Sequence, residues 1–154
     1  MRVLTSLLLG LGLVGLGPTL AHAAADTSVS DRYGQYVRVD GKVVDKLKTK
    51  HNLEMKAVKA LLPKAKLANK EGTSRTYTIR IVKLLCTTTN GVKTCKTTNE
   101  KEELKFVVDY RINSQGKQQG LVTGYCLGKT KCPSWVNNPS TTPPGNGGGG
   151  GGGW

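Results

Sequence analysis

Alternating apolar and polar positions in the middle of the chain predict three consecutive β-strands. The clearest strand carries apolar side chains at every second position from Leu104 to Ile112, with charged side chains among the residues between them. Such alternation is typical of a strand with one face in solvent. Shorter stretches with the same period, residues 77–81 and 121–127, precede and follow it. Together these patterns predict an antiparallel meander with one apolar face.

The connection between the first two strands contains Asn90-Gly91, the strongest short-range signal for a hairpin, because both turn residues need a positive φ. Counting outward from this turn, Cys86 faces Cys95 in a non-hydrogen-bonded pair. The Cα atoms of such a pair lie about 4.5 Å apart, within the range of about 4.4–6.8 Å that a disulfide tolerates. The turn and the cysteine spacing therefore predict a disulfide across a β-hairpin.

The same register cannot continue unchanged along these two strands. Without a break, Ile79 would face Glu102 and Ile81 would face Glu100, which would set apolar side chains against carboxylates. We therefore expect a bulge or a loosened segment within residues 97–103.

The second connection, residues 113–118, is polar and contains a glycine, which predicts a longer hairpin loop before the third strand. If Tyr110 pairs with Leu121, the alternation sets Phe106 opposite Tyr125. The sheet would then have a continuous apolar face. Such a face needs another element to cover it.

A lysine-rich segment between residues 45 and 70 changes to helical spacing. Asn52 is suited to be its N-cap, and Pro63 breaks or restarts the helix. One apolar stripe is formed by Leu53, Ala57, Val58, Ala60, Leu61 and Leu62. We expect this stripe to cover the sheet, because an apolar sheet face requires a second layer. The alternative is a cationic amphipathic helix that lies on an anionic membrane, as in a membrane-active antimicrobial protein.

Residues 36–44 surround Asp40-Gly41, and because Asp-Gly is a favoured two-residue turn we predict an N-terminal hairpin there. The predicted fold is therefore α+β: a small antiparallel β-meander of about three main strands plus this hairpin, covered by one amphipathic helix. Disulfides help to stabilise a domain of this modest size.

The two ends of the chain have the composition of processing and linker segments. Residues 1–23 combine a positive start, an apolar run and the small-residue site Ala21-His22-Ala23, which predicts a signal peptide and export. A membrane anchor is disfavoured because the run is shorter than the about 20 residues that span a bilayer. We expect a polar leader at 24–32 and the folded domain at 33–132. Residues 133–154, rich in Pro, Thr and Gly, are predicted to be a disordered tail or linker.

Export would place the four cysteines in an oxidising compartment, so the expected location is secreted or periplasmic and two disulfides are expected. Of the possible pairings we favour Cys86–Cys95 with Cys126–Cys132. A zinc site is the competing interpretation, but the spacings are not those of a zinc ribbon or finger. We therefore expect no metal and no cofactor.

The sequence carries no catalytic signature. Without the signal peptide, His51 is the only histidine that could act as a general base. Paired cysteines are unavailable as nucleophiles, and the adjacent carboxylates Glu102 and Glu103 point to opposite faces of a strand. The glycine run in the tail lacks the strand and helix that flank a phosphate-binding loop. We expect that the protein is not an enzyme.

Positive charge is the strongest chemical signal in the chain. The formal net charge is +13, and it becomes +12 without Arg2. Between Lys42 and Arg75, ten basic residues stand against three acidic ones, and such a cluster attracts polyanions. We expect contact with an anionic surface or polymer through a lysine-rich helical face. The expected contact residues are Lys46, Lys48, Lys50, Lys56, Lys59, Lys64, Lys66 and Lys70.

The expected partners outside the cytoplasm are envelope polysaccharide, lipopolysaccharide and phospholipid surfaces, with a protein receptor as a further option. Extracellular nucleic acid is less favoured, because aromatic residues are not interleaved with the lysines as base stacking requires. We do not expect an integral membrane protein. The alternative to any binding role is that the charge only keeps a small exported protein in solution.

Adhesion or assembly is a second function class. A disulfide-linked β domain followed by a Pro/Thr-rich and polyglycine stretch has the layout of a head domain on a linker. This layout resembles that of the minor coat proteins of filamentous phages, in which glycine-rich linkers join small exported domains. The resemblance covers domain order and tail composition. For an adhesion module, the better contact candidates are Tyr33, Tyr36 and Trp135.

Overall fold

The computed structural model describes residues 24–138 as an α+β fold with two antiparallel sheets and two α-helices. One sheet pairs β1 with β2, and the other has the strand order β3-β4-β5-β6. In chain order the elements are β1 (Thr27–Ser30), β2 (Tyr36–Val39), α1 (Gly41–His51), α2 (Met55–Leu61), the short 3-10 helix η1 (Leu62–Lys64), β3 (Lys66–Glu71), β4 (Ser74–Thr89), β5 (Val92–Ile112), β6 (Gln118–Cys126) and the 3-10 helix η2 (Ser134–Asn137). The α+β class is confirmed, and β4, β5 and β6 form the meander.

The β4–β5 hairpin has the predicted turn and the predicted disulfide. Asn90 and Gly91 adopt φ values of 50° and 77°, the conformation that this two-residue turn requires. Cys86 faces Cys95 in the ladder, with Cα atoms 4.0 Å apart, and the two side chains form a disulfide. Both predictions are confirmed.

The bulge predicted for this hairpin is also present. Between the pairs 82/101 and 84/97, three residues of β5 stand opposite one residue of β4. Because side chains alternate with a period of two, a shift by two residues keeps each side chain on its original face. The shift places Ile79 opposite Leu104 instead of Glu102. Ile81 still faces a carboxylate, that of the buried Glu102, which is paired with Lys129.

The predicted register between β5 and β6 is wrong. Phe106 pairs with Gly124 rather than with Tyr125, and a bulge leaves Val122 without a partner in the ladder. The physical reason is space, because a Cβ atom at residue 124 would lie 2.9 Å from Phe106 Cδ1. The buried Phe106 ring therefore requires a glycine opposite it, and apolar alternation alone does not reveal this requirement.

The predicted N-terminal hairpin through residues 36–44 is wrong. Asp40 is the N-cap of α1, and its side chain accepts a hydrogen bond of 2.9 Å from the Lys42 N–H. An Asp side chain stabilises the first turn of a helix in this way, so Asp40-Gly41 begins a helix instead of turning a hairpin. The observed hairpin lies earlier and pairs β1 with β2. β1 therefore occupies part of the segment predicted as a polar leader.

The lysine-rich segment forms two helices and a strand rather than one helix. Asn52 is not an N-cap, because it ends α1 in the left-handed conformation with φ 50° and ψ 41°. Asparagine tolerates this conformation and can therefore end a helix. α2 begins only at Met55. Beyond Pro63 the chain becomes extended and forms β3, which pairs with β4 at the edge of the sheet.

The predicted apolar stripe nevertheless packs against the sheet. Five of its members are buried, and Ala60 is half-buried. The buried members share one hydrophobic core with Tyr77, Phe106 and Leu121 of the sheet. α1 contributes Leu47 to the same core. Two helices rather than one therefore form the covering layer.

The second disulfide, Cys126–Cys132, is present as predicted, and both cysteines are buried. Beyond it, the Asn137 side chain donates a hydrogen bond of 2.8 Å to the Asn52 carbonyl and accepts one of 2.8 Å from the Glu54 N–H. These contacts attach η2 to the start of α2, so the fold extends past the predicted boundary at residue 132. The predicted signal peptide, 1–23, and the rest of the predicted tail, 139–154, lie outside the described residues.

Candidate anion-binding surface

The eight lysines predicted to contact an anion lie on four elements, so the prediction of one helical face is wrong. Seven of the eight are exposed, whereas Lys46 is half-buried with its Nζ 3.5 Å from the Val122 carbonyl oxygen. The lysines are separated because α1 ends at Asn52 and the chain becomes extended after η1. The exposed residues, called the lysine set below, are Lys48 and Lys50 on α1, Lys56 and Lys59 on α2, Lys64 on η1, and Lys66 and Lys70 on β3.

Most of the lysine set carries charge that no internal carboxylate balances. Within residues 24–138, Lys56 is the one member in an ion pair, with its Nζ 3.0 Å from Glu54 Oε2. The exposed Glu100 is paired elsewhere, with Lys83 of the β4–β5 hairpin at 2.6 Å. The remaining ammonium groups of the set can therefore face an external anion without first breaking an ion pair within the described chain.

A buried carboxylate beneath the β1–β2 loop organises a second cationic feature. Asp31 is only 2% exposed. Its Oδ2 accepts hydrogen bonds from the hydroxyls of Tyr110 at 2.6 Å and Tyr77 at 2.7 Å. Its Oδ1 accepts the backbone N–H groups of Tyr33 and Gln35, both at 2.8 Å. Asp31 thus fixes the loop to strands β4 and β5.

These hydrogen bonds determine the protonation of the cluster. Burial raises the pKa of Asp31, but the hydrogen bonds from Tyr110, Tyr77 and the loop backbone outweigh burial, so its pKa lies below the ordinary value. Burial and the neighbouring Asp31 carboxylate raise the pKa of Tyr110 well above its ordinary value. At neutral pH, therefore, Asp31 is an anion and Tyr110 remains a hydrogen-bond donor.

Arg75 balances this buried anion and is held in a defined orientation. Its Nη1 lies 3.6 Å from Asp31 Oδ2 and donates to Gln35 Oε1. Its guanidinium carbon lies 4.5 Å from the centroid of the Tyr110 ring, the geometry of a cation–π contact. A buried charge needs such a partner to offset the cost of its desolvation. Arg75 is therefore fixed by contacts on three sides.

A pocket of about 310 Å³ opens beside Arg75. It is lined by Tyr33, Gln35, Leu67, Lys70 and Arg75. The Tyr33 side chain is 60% exposed, so its ring offers an aromatic wall at the pocket mouth. Lys70, a member of the lysine set, and Arg75 give this pocket two cations, one aromatic ring and one amide.

A second depression, of about 350 Å³, lies between α1 and α2. Its lining includes Lys48, Lys56 and Glu54, together with Val44, Leu53 and Met55. Because Glu54 pairs with Lys56, one of its two positive charges is already balanced. Its formal charge is therefore +1, the same as that of the first pocket once Asp31 is counted against Arg75, but it offers no aromatic side chain among the described residues.

The other candidate residues occupy different surroundings. His51 ends α1, its ring centroid lies 5.9 Å from that of Tyr125, and its buried Nδ1 has no hydrogen-bond partner among the described residues. Trp135 is half-buried against the core, and its buried Nε1 likewise lacks a partner there. Tyr36 is 60% exposed. Of the three aromatic candidates for adhesion, Tyr33 and Tyr36 are thus presented to solvent.

Sequence reasoning missed Asp31 and Arg75 because their partners are distant in the chain. The one local signal is the position of Asp31 at the start of a turn that contains Gly34, where Asp side chains often accept backbone N–H groups. Tyr77 and Tyr110 are predicted only as members of apolar faces. Nothing in the alternation shows that their hydroxyls meet one carboxylate.

All four cysteines are in disulfides. Among residues 24–138, no group of three or more His, Cys, Asp or Glu side chains is placed to hold a metal ion. In the same part of the chain, no helix combines the length and the apolar character needed to cross a membrane. Comparison of the chain with protein-family models, curated proteins and solved structures found no match.

Proposed function

We propose that this protein is an exported, non-catalytic binding protein that contacts an anionic surface or polymer through the lysine set. The observation that carries the proposal is that all seven lysines are exposed and that six of them form no ion pair with a carboxylate of residues 24–138. Such groups raise the local concentration of polyanions by electrostatic attraction, without sequence recognition. Envelope polysaccharide, lipopolysaccharide and phospholipid are the partner classes.

Contact at the surface is favoured over insertion into a bilayer. An amphipathic helix that enters a membrane must bury its apolar face in the lipid. Here Leu53, Val58 and Leu61 already belong to the core that packs against the sheet. Their transfer into lipid would require the helices to leave the sheet, so the antimicrobial alternative has less support than surface binding.

The salt dependence of binding tests the proposal. The full exported chain would be titrated onto immobilised polygalacturonate and onto phosphatidylglycerol vesicles, with dextran and phosphatidylcholine vesicles as neutral controls. Between about 50 mM and about 500 mM NaCl we expect affinity for the anionic probes to fall by at least about tenfold, because salt screens exposed charges. Affinity that does not change with salt, or equal binding to the neutral controls, would contradict the proposal.

Adhesion to a protein partner is the second candidate function. It is favoured by the exposure of Tyr33 and Tyr36, each 60%, because exposed tyrosines supply contact area at a low entropic cost. Binding to a protein receptor that persists at high salt and is lost on replacement of both tyrosines by Ala would support adhesion. The response of binding to salt therefore separates the two functions, because electrostatic contact weakens at high salt and adhesion persists.

A further inference from the structure

We propose that the pocket beside Arg75 binds one carboxylate-bearing sugar ring, so that the anionic partner is an acidic polysaccharide. This inference rests on the proposed function and narrows its ligand class. The pocket is lined by Tyr33, Gln35, Leu67, Lys70 and Arg75. The lysine set attracts any polyanion, whereas the side chains that line this pocket have the chemistry to select one.

The net positive charge around the pocket matches a ligand group with a single negative charge. The buried Asp31 carboxylate is balanced by Arg75, whose Nη1 lies 3.6 Å from it. Lys70 lines the same pocket and is in no ion pair with a described carboxylate. The formal charges of these three residues therefore leave one positive charge. A monoanionic carboxylate matches that charge, and the Lys70 ammonium is the group left to pair with it, because Arg75 Nη1 already contacts Asp31 and Gln35.

The other walls of the pocket fit a sugar ring. The exposed Tyr33 ring and the half-buried Leu67 provide apolar surface for the C–H face of a pyranose. Because Gln35 Oε1 accepts from Arg75, its amide N–H groups are left to donate to a ligand oxygen. The volume of about 310 Å³ lies at the lower end of ligand pockets, which is room for one ring rather than for a long segment.

The polar side of the pocket is arranged before any ligand arrives. The Asp31 carboxylate and the Tyr110 ring hold the Arg75 guanidinium, and backbone hydrogen bonds of 2.8 Å hold the loop at Tyr33 and Gln35. A site that is already ordered loses less conformational entropy on binding than exposed lysine side chains do. We therefore expect the pocket to bind a short acidic oligosaccharide that the lysine set alone would hold weakly.

The first test is an amide NMR titration of the full exported chain with trigalacturonate. There are two comparison probes. One is the methyl ester of trigalacturonate, which keeps the rings and removes the charge, and the other is inorganic phosphate. We expect saturable shifts at Tyr33, Gln35 and Lys70 with trigalacturonate and much smaller shifts with either comparison probe. Equal shifts at these residues with phosphate would overturn the assignment to a sugar, and equal shifts with the ester would overturn the role of the carboxylate.

Matched variants provide the second test. Tyr33→Ala is compared with Tyr36→Ala, since both side chains are 60% exposed but only Tyr33 lines the pocket. Lys70→Gln is compared with Lys66→Gln, since both lysines are exposed on β3 but only Lys70 lines the pocket. We expect each pocket variant to weaken trigalacturonate binding by about tenfold and each control by less than about twofold. Equal losses in the two members of a pair would contradict the pocket.

The outcomes separate this inference from the proposed function. If polygalacturonate binds in a salt-dependent manner while trigalacturonate leaves the pocket amides unchanged, the pocket inference is wrong and the proposed function stands. If neither the polymer nor the trisaccharide binds but phosphatidylglycerol vesicles do, the pocket inference is wrong and the proposed function stands; if none of the three binds, both are wrong. An unchanged amide spectrum away from the substituted residue establishes that each variant is folded, so that a loss of affinity belongs to the pocket.

Discussion

The four-stranded sheet has a covered part and a bare part, although β4 and β5 run through both. In the covered part, β3 flanks β4 at residues 74–78, β6 flanks β5, and Tyr77 and Phe106 are fully buried. Residues 84–97, here called the arm, pair only with each other. The exposed arm side chains Leu85 and Val92 show that an apolar residue in a strand need not belong to a core.

The two parts are stabilised by different physical means. The covered part depends on apolar burial and on the polar cluster around Asp31. The arm depends on local structure, namely the Asn90-Gly91 turn and the Cys86–Cys95 disulfide. Local opening is easiest where few apolar groups are buried. We therefore expect the arm to open without unfolding the rest of the protein.

The largest difference in stability between substitutions in the two parts should follow from truncation of a core side chain. Phe106 is fully buried, and Phe106→Ala should lower the free energy of unfolding by about 3–5 kcal/mol through lost burial and the cavity that remains. Val92→Ala, at the end of the arm, should change it by less than about 0.5 kcal/mol. Urea denaturation followed by circular dichroism measures both. A similar cost for the two variants would contradict the division of the sheet.

The two disulfides offer the next comparison. Their sequence separations are 9 for Cys86–Cys95 and 6 for Cys126–Cys132, so loop-closure entropy alone gives each about 2–3 kcal/mol. Only the second bond is fully buried, and it fixes β6 to the segment that leads into η2.

Replacement of both Cys126 and Cys132 by Ser should therefore lower the free energy of global unfolding by about 2–4 kcal/mol. Replacement of both Cys86 and Cys95 by Ser should mainly lower the amide-exchange protection of the arm. The global change should stay under about 1 kcal/mol, because an arm that opens in the folded protein no longer has to close this loop on folding. Hydrogen exchange read by mass spectrometry, together with urea denaturation, distinguishes local from global effects. Loss of protection throughout the sheet in the second variant would contradict an independent arm.

A smaller contribution to stability, specific to the covered part, should depend on pH. The hydrogen bonds to Asp31 keep its folded-state pKa below the ordinary value, so its ionised form stabilises the fold. This contribution is complete above the unfolded-state pKa of about 3.9 and is lost as the pH falls through the lower folded-state pKa.

Asp31→Asn should therefore lower stability by about 1–3 kcal/mol at neutral pH, because a buried charged acceptor is removed from its donors. It should also make the decline in stability below about pH 4 shallower than in the unmodified protein. Urea denaturation across acidic pH measures this, with the exposed Asp45→Asn as the matched control. An acid profile that does not change in Asp31→Asn would show that the cluster does not depend on an ionised carboxylate.

Local signals predicted the hairpin at Asn90-Gly91 correctly, and they failed at Asp40-Gly41. Both dipeptides suit a tight turn, but Asp is also a preferred N-cap. The residues after Asp40 form a helix that buries Leu47 in the core, and this packing decides between the two uses of the dipeptide. Sequence alone supplies the two options, whereas the tertiary contacts select one.

The candidate site was predictable only in its charge. The exposure of the lysine set follows from side-chain chemistry, because solvated ammonium groups are rarely buried. Its division among four elements depends on Asn52, and the pocket depends on Asp31 meeting Tyr77 and Tyr110 from strands 46 and 79 residues away. Long-range contacts of this kind leave no periodic signal in the sequence.

The central claim is that the lysines beside the covered part of the sheet, and not net charge alone, bind the anion. Two variants with the same loss of charge test it most directly. One variant replaces Lys48, Lys59 and Lys64 with Gln, and the other replaces Lys93, Lys96 and Lys101, which lie on the arm and at its base. All six lysines are exposed.

Affinity for polygalacturonate at low salt is the measurement. The affinity of the first variant should fall by at least about tenfold, and its binding should depend less steeply on salt, because it lacks charges that face the polymer. The arm variant should lose less than about threefold. Equal losses would mean that net charge alone governs binding, and a larger loss in the arm variant would move the binding surface to the arm.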